Sequence, residues 1–360
     1  MAKDTQMNKS APKAGNKVRL FSPSWVDRIN ELVRRLPGGS FVYYFGFGVF
    51  LFLLQTLVSW LEGAPLIGPF SSKYLFLAAA IPYILGMIHI LDDRAALAFE
   101  TMESTLTASD DEKKTLRYKL TVLPAFLTIC AGLLAIALAL LSEVAGRGSY
   151  RLATLQAYPI ADDLFRGIYL VCWWSFGAFL YHTARQLVII NHIYTRHAQI
   201  NLFRMQPLYA FSNLTALTAG SLIVPPYGFL WVNPDDVSIN EPVVLGIYVL
   251  ITFIAVVTFI WPQLGIHRLQ NAEKDRLLEE VNQRYESAIA QLHKGVDAKN
   301  YDGMSNLSMA IGSLNQERMT IEKIPTWPWQ PETLRWLVTA LVLPLGLWLL
   351  QFFLQRMLEG

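Results

Sequence analysis

Residues 120–142, LTVLPAFLTICAGLLAIALALLS, contain no charged side chain over 23 positions. At about 1.5 Å of rise per residue a helix of this length reaches across the ~30 Å hydrocarbon core of a bilayer. Lipid supplies no partner for a backbone amide, so a stretch this apolar and this long satisfies its own amides as an α-helix. Six more runs of this kind flank it, at about 41–61, 74–91, 167–187, 208–230, 243–263 and 333–354. The fold class expected is therefore all-α: a polytopic bundle of seven transmembrane helices. The composition agrees, with 53% hydrophobic and 16% charged residues against about a quarter charged in an ordinary soluble domain.

The basic residues orient the bundle. Residues 1–40 carry eight Lys/Arg, residues 92–119 five, and the segment after the fourth run adds Arg185, Arg196 and Arg204. The segment after the sixth run adds nine, counting Arg335, whereas the opposite set of loops holds only Lys73, Arg147, Arg151, Arg166 and Arg356. Basic loops stay in the cytoplasm. The amino terminus is thus expected inside and the carboxyl terminus outside, in a plasma membrane or, in a bacterium, the inner membrane. Some forty residues precede the first apolar run, so no cleaved signal peptide is expected.

The domain reading follows. Residues 1–21 form a disordered cytoplasmic tail and 22–37 an interfacial amphipathic helix. That helix is capped by Ser22 or Ser24 and has Trp25, Ile29, Leu32, Val33 and Leu36 on one face. Residues 41–265 make a six-span region. Residues 266–324 make a cytoplasmic helical hairpin, and 325–360 a Pro/Trp elbow with the seventh span. In the hairpin, Leu277, Val281, Tyr285, Ala288 and Leu292 recur at helical intervals. Met304, Leu307, Ile311, Leu314 and Ile321 form a second stripe after the Asp302-Gly303 turn. The first stripe needs a partner: the second helix, another inner segment, or a second copy of the chain in a coiled-coil-like contact. In the elbow, Trp327, Trp329 and Trp336 suit an interface anchor, or a joint that couples the hairpin to the last span.

No acid lies at the middle of any run. Asp92-Asp93-Arg94 and Asp110-Asp111-Glu112 read as solvated helix ends. The fifth run is the most polar, with Ser212, Asn213, Thr215, Thr218 and Ser221 ahead of the Pro225-Pro226 break. Two readings compete: close packing through small residues, or a water-facing pore wall. The prolines leave open whether this run crosses or re-enters. His182 and Arg185 are candidates for a basic inner mouth. His89 and His182 fall near the inner ends of two spans, where a haem would need a ligand from each, although interfacial polar residues also look like this. Cys130 and Cys172 both lie in apolar runs, so no disulfide framework is expected, and no metal-site spacing occurs. No phosphate loop, nucleophile elbow or His-Glu-x-x-His motif is present. No enzymatic activity and no cofactor is expected, and nucleic acid is not a partner.

In topology, seven spans with an inner amino terminus, an outer carboxyl terminus and cytoplasmic helical extensions resemble the insect gustatory and odorant receptor channels. Gln351-Phe352 stands where that family ends its last span with the same pair, and Pro344-Leu345 stands where it has Thr-Tyr. That resemblance implies a pore lined by the last span and transfers no functional residue. The leading expectation is a passive, channel-like pore, homo-oligomeric through the hairpin and carrying an ion or small molecule. The alternatives are a non-catalytic scaffold or accessory subunit, and a histidine-dependent redox protein.

Overall fold

A computed structural model describes residues 20–64, 72–144, 157–232, 242–300 and 302–358. The tail expected at 1–21 lies almost wholly outside them, as does the acidic loop 233–241. The described chain is all-helical, with ten α-helices and, among the described residues, no strand beyond two isolated bridges. Helix α1 spans Trp25–Arg35, α2 Ser40–Leu61, α3 Ser72–Met102, α4 Asp110–Thr121, α5 Ala125–Val144 and α6 Pro159–Arg196. Then come α7, Gln206–Val232; α8, Pro242–Asp297; α9, Met304–Glu322; and α10, Pro331–Leu358. Five of them, α2, α3, α6, α7 and α8, are long and apolar enough to cross a membrane, and α5 holds a shorter apolar helix, Ala125–Leu141. Along α2, Phe41, Phe45, Phe50, Leu53, Leu57 and Leu61 are exposed. Such a continuous apolar surface is the mark of a helix that meets lipid.

Each apolar run of the sequence lies in a helix, with two adjustments. The third run does not begin at residue 120. Leu120 and Thr121 close α4, the chain extends through Val122 and Leu123, and the apolar helix starts at Ala125. Pro124 lacks an N–H and disfavours helical backbone at the residue before it, which sets the break. The fifth run is not broken at Pro225-Pro226: α7 continues through both as one 27-residue helix. Pro225 cannot donate to the carbonyl of Ser221, and the hydroxyl of Tyr83 on α3 donates to that carbonyl instead, at 3.0 Å. A neighbouring side chain thus fills the gap that the ring leaves, as transmembrane helices with internal prolines require.

Ends of helices gather at two poles. At one, the amides of Ile160 and Ala161 opening α6 donate to the carboxylate of Glu62, just past α2, at 3.0 and 2.7 Å. That carboxylate serves as a remote cap on the positive end of α6. At the other pole the chain before α1 pairs with the α4–α5 junction, Ser24 donating to the Leu123 carbonyl at 3.0 Å. There also Thr107 donates to the His197 carbonyl and Gln199 to that of Thr105, both at 2.8 Å.

Helix α8 runs unbroken for 56 residues, about 84 Å. Past the bundle its stripe packs on α9: Val281, Ala288 and Ile321 are buried, and Met304, Leu307, Ile311 and Leu314 are the sheltered positions of α9. Within the described chain, the second helix of the same hairpin covers this stripe. Gly303 sits in the turn at φ +78°, a left-handed conformation that glycine adopts without penalty.

Candidate functional site

The amino-terminal pole holds a set of ionisable side chains drawn from α1, α2, α3 and α6. Helix α1 begins with a reciprocal cap: the Asp27 amide donates to Ser24 Oγ, and Ser24 N and Oγ donate to Asp27 Oδ2, each at 2.8 Å. The same oxygen accepts from the amide of Leu123 at 3.1 Å, so one carboxylate fastens α1 to the α4–α5 junction. The face that α1 buries is Val26, Asn30 and Val33, whereas Leu32 and Leu36 point outward. Of the five residues that the sequence places on one face of this interfacial helix, Val33 is buried in the bundle, whereas Leu32 and Leu36 are not.

From α1 a chain of hydrogen bonds runs inward. Arg34 Nε donates to His89 Nε2 at 3.1 Å, His89 Nδ1 lies 3.0 Å from the Tyr44 hydroxyl, and Tyr44 donates to Asn30 Oδ1 at 2.8 Å. With a guanidinium donating to Nε2, the proton of a neutral imidazole sits on Nδ1, and every bond in the chain then has a donor and an acceptor. Asp93 pairs with Arg34 at 2.5 Å and also approaches His89 Nε2 at 3.4 Å. The second distance is long for a hydrogen bond, and Arg34 donates to both residues.

Beside this chain, Asp92 of α3 and His182 of α6 form a closed pair, Nε2 to Oδ1 2.9 Å, with both side chains buried. Asp92 was read from the sequence as a solvated helix end and is only 5% exposed. The reason is the length of α3 and α6. Both run past the apolar stretch and keep packing against each other, so a residue just beyond the span is still inside the bundle. On the same face of α6, buried polar atoms without a protein partner include His182 Nδ1, Thr183 Oγ1 and both polar atoms of Gln186. Asn30 Nδ2 on α1 is another. Such atoms are costly unless water or a polar ligand meets them.

Burial and the charge of Asp92 push the Asp27 carboxyl up to about 6, against the opposing pull of its bonds from Ser24 and Leu123. A carboxyl with a raised folded value binds its proton more tightly in the native state. Stability is then greatest below the ordinary value near 4 and falls as pH rises toward 6. We expect the melting temperature of the detergent-solubilised protein to decline between pH 4 and 6, and Asp27→Asn to flatten that decline. Thermal unfolding by intrinsic fluorescence at half-unit pH steps measures both slopes.

The other candidate residues fall as follows. In α7, Ser212, Thr215, Thr218 and Ser221 are buried among helices. Thr215 donates to the Ser212 carbonyl, Thr218 to that of Leu214 and Ser221 to that of Thr218. Gln263 of α8 also donates to Thr215 Oγ1 at 3.0 Å. Asn213 alone of the set is exposed, and it accepts from the hydroxyl of Thr333 on α10. His182 joins Asp92 as described. Arg185 Nη2 donates to the Lys119 carbonyl at 3.2 Å, and its guanidinium lies 5.1 Å from the centre of the Phe21 ring. Trp327 and Trp329 belong to a stack of rings. His267 lies on Trp327 at 3.8 Å, Trp327 on Trp329 at 4.3 Å, and Trp329 on Phe259 at 5.4 Å. The elbow is thereby laid along α8, and His267 Nδ1 lies 2.9 Å from the Thr326 carbonyl. Trp336 of α10 stands over Gly220 of α7. His89 has both ring nitrogens engaged, and His182 keeps only Nδ1 for any ligand.

The sequence reading named His89 and His182 but missed Asn30, Arg34, Tyr44 and the burial of Asp92. One signal was present. His89 and Asp93 are four apart, so they share a helix face with a charge at its end. No known protein family matches this chain, and no curated protein or solved structure matches it either. What the fold defines is a class: an all-helical protein with several helices fit to cross a membrane.

Proposed function

We propose that the chain is a seven-span integral membrane protein with its amino terminus in the cytoplasm, working as a channel-like pore for protons or small polar solutes. The observation that carries this reading is the buried Asp92–His182 pair beside the Arg34–His89–Tyr44–Asn30 chain. Ionisable side chains inside a membrane bundle are costly, and where they occur they mark ion or proton paths. The inward face of α2 extends that polarity. Its buried residues are Tyr44, Leu51, Gln55 and Ser59, three of them polar. Ser59 shares a hydrogen bond of 2.9 Å with Tyr74, and Gln55 Oε1 has no protein partner. Tyr44 to Ser59 covers about 22 Å of helix, so three polar side chains are spread along the seam between α2 and its neighbours, with Leu51 between them.

Gln55 and Ser59 also donate to carbonyls of their own helix, as Thr215, Thr218 and Ser221 do on α7, where Ser212 Oγ has no protein partner. The test is flux in proteoliposomes loaded with a pH-sensitive dye, with a panel of small solutes run beside it under an imposed potential. Wild-type protein should dissipate a gradient, and Asp92→Asn and Gln55→Leu should each slow it at least tenfold. Vesicles that stay silent to every gradient and potential would overturn the reading.

A scaffold or accessory role is the second reading. It draws on α9, which packs on α8 and leaves Met309 and Met319 exposed. A second protein co-purifying in fixed ratio, and lost when those two methionines become glutamate, would favour it. A ring of identical chains would favour the pore.

A further inference from the structure

A cleft of about 590 Å³ opens on the side of the bundle between α3, α7 and the start of α10. Arg94, Gln206 and Gln330 are among its polar walls, and Leu97, Leu217 and Trp336 among its apolar ones. Arg94 is exposed and, among the described residues, makes no ion pair, although its neighbours Asp92 and Asp93 are both engaged, by His182 and Arg34. The cleft therefore carries a cation with no acidic partner among the described residues.

Depth along the helices sorts the two kinds of wall. Tyr83 meets Ser221, which fixes the register of antiparallel α3 and α7. Arg94 lies about 16 Å further along α3, level with the first turns of α7 and with the Arg34–Asp93 pair. Leu217 lies deeper, as does Trp336 against Gly220. A positive and amide-rich mouth thus stands at the pole of the bundle, with an apolar wall descending from it toward the middle of the helices. The cleft is open to the side, where the bundle would face lipid. An occupant with an anionic head and an apolar tail satisfies both parts.

We propose that this cleft binds an anionic phospholipid, its phosphate on Arg94 with Gln206 and Gln330 as further donors, and an acyl chain along Leu217 and Trp336. A guanidinium is suited to the task, since it meets phosphate oxygens through paired N–H groups. The proposal does not depend on the channel reading, because a scaffold would present the same cleft.

The test is native mass spectrometry of the purified full chain, titrated with phosphatidylglycerol or phosphatidylcholine of matched acyl chains. Wild-type protein should retain phosphatidylglycerol in preference to phosphatidylcholine. Arg94→Gln should weaken the phosphatidylglycerol adduct about fivefold, the effect of one basic residue near an anionic headgroup, and leave phosphatidylcholine unchanged. Arg94→Lys should keep most of the preference. Ala210→Phe, which narrows the cleft without touching the charge, should weaken both lipids, and Arg284→Gln on the distant hairpin should weaken neither. Equal phosphatidylglycerol retention by wild type and Arg94→Gln would overturn the proposal. So would displacement of the lipid by millimolar inorganic phosphate, which would assign the mouth to a free anion.

Discussion

Asp92→Ala should destabilise the protein by about 3–5 kcal/mol, the cost of leaving one member of a buried pair without the other. His182 is 2% exposed and its Nε2 has Asp92 as its hydrogen-bond partner. Without the carboxylate a buried donor is left without its protein partner between α3 and α6. Asp92→Asn keeps an oxygen in place for the Nε2 proton and should cost much less. The double variant with His182→Ala should cost less than the two single changes together. For side chains in direct contact the difference amounts to about 0.5–3 kcal/mol. Equilibrium unfolding of the four proteins in mixed micelles closes the cycle. A loss below about 1 kcal/mol for Asp92→Ala would mean that the pair behaves as an exposed one and that the burial assigned to it is wrong.

Gly177→Ala should separate two helices. A Cβ at residue 177 would collide with the Ala131 carbonyl oxygen and stand 2.7 Å from Ala135 Cβ. Both obstacles are backbone or the first atom of a side chain, so neither can swing aside. Helix α6 must back away from α5, and the contact they lose is van der Waals packing, the main force holding helices together in lipid. Overpacking of this kind costs about 1–3 kcal/mol for one methyl, and Gly177→Leu should prevent a stable fold. Gly167, three turns earlier on the same helix, has nothing within 4 Å of its would-be Cβ. Gly167→Ala should therefore be neutral, or stabilising by up to ~1 kcal/mol through helix propensity. Melting temperatures of the pair in one detergent report the contrast, and equal shifts would deny the close approach.

How far these features could be read from residues alone varies with their range. The helices were legible because apolar length is a local property: α2 and α5 expose phenylalanines and leucines along their lengths. The two stripes of the hairpin were legible for the same reason, each being a repeat within one helix. What the sequence did not yield depends on pairs far apart in it. Tyr83 and Ser221 are 138 residues apart, so nothing near Pro225-Pro226 announced that their missing hydrogen bond had a substitute. Tyr44 and His89 are 45 apart, and Asp92 and His182 are 90 apart. An acid just beyond an apolar run looks like a solvated end until the neighbouring helix proves as long as its own. The α7 hydroxyls show the reverse case. Ser, Thr and small residues in a span serve a pore wall or a packing face equally well by type, and only the direction of each hydroxyl separates the two.

The proposed function rests on a seven-span arrangement with opposed termini, which is itself a proposal. Its most direct measurement is the accessibility of one epitope tag at Met1 and another after Gly360 to an antibody that cannot cross membranes, in intact cells and again after permeabilisation. The account predicts that the carboxyl-terminal tag is stained in intact cells and the amino-terminal tag only after permeabilisation. Staining of both tags, or of neither, before permeabilisation would contradict it.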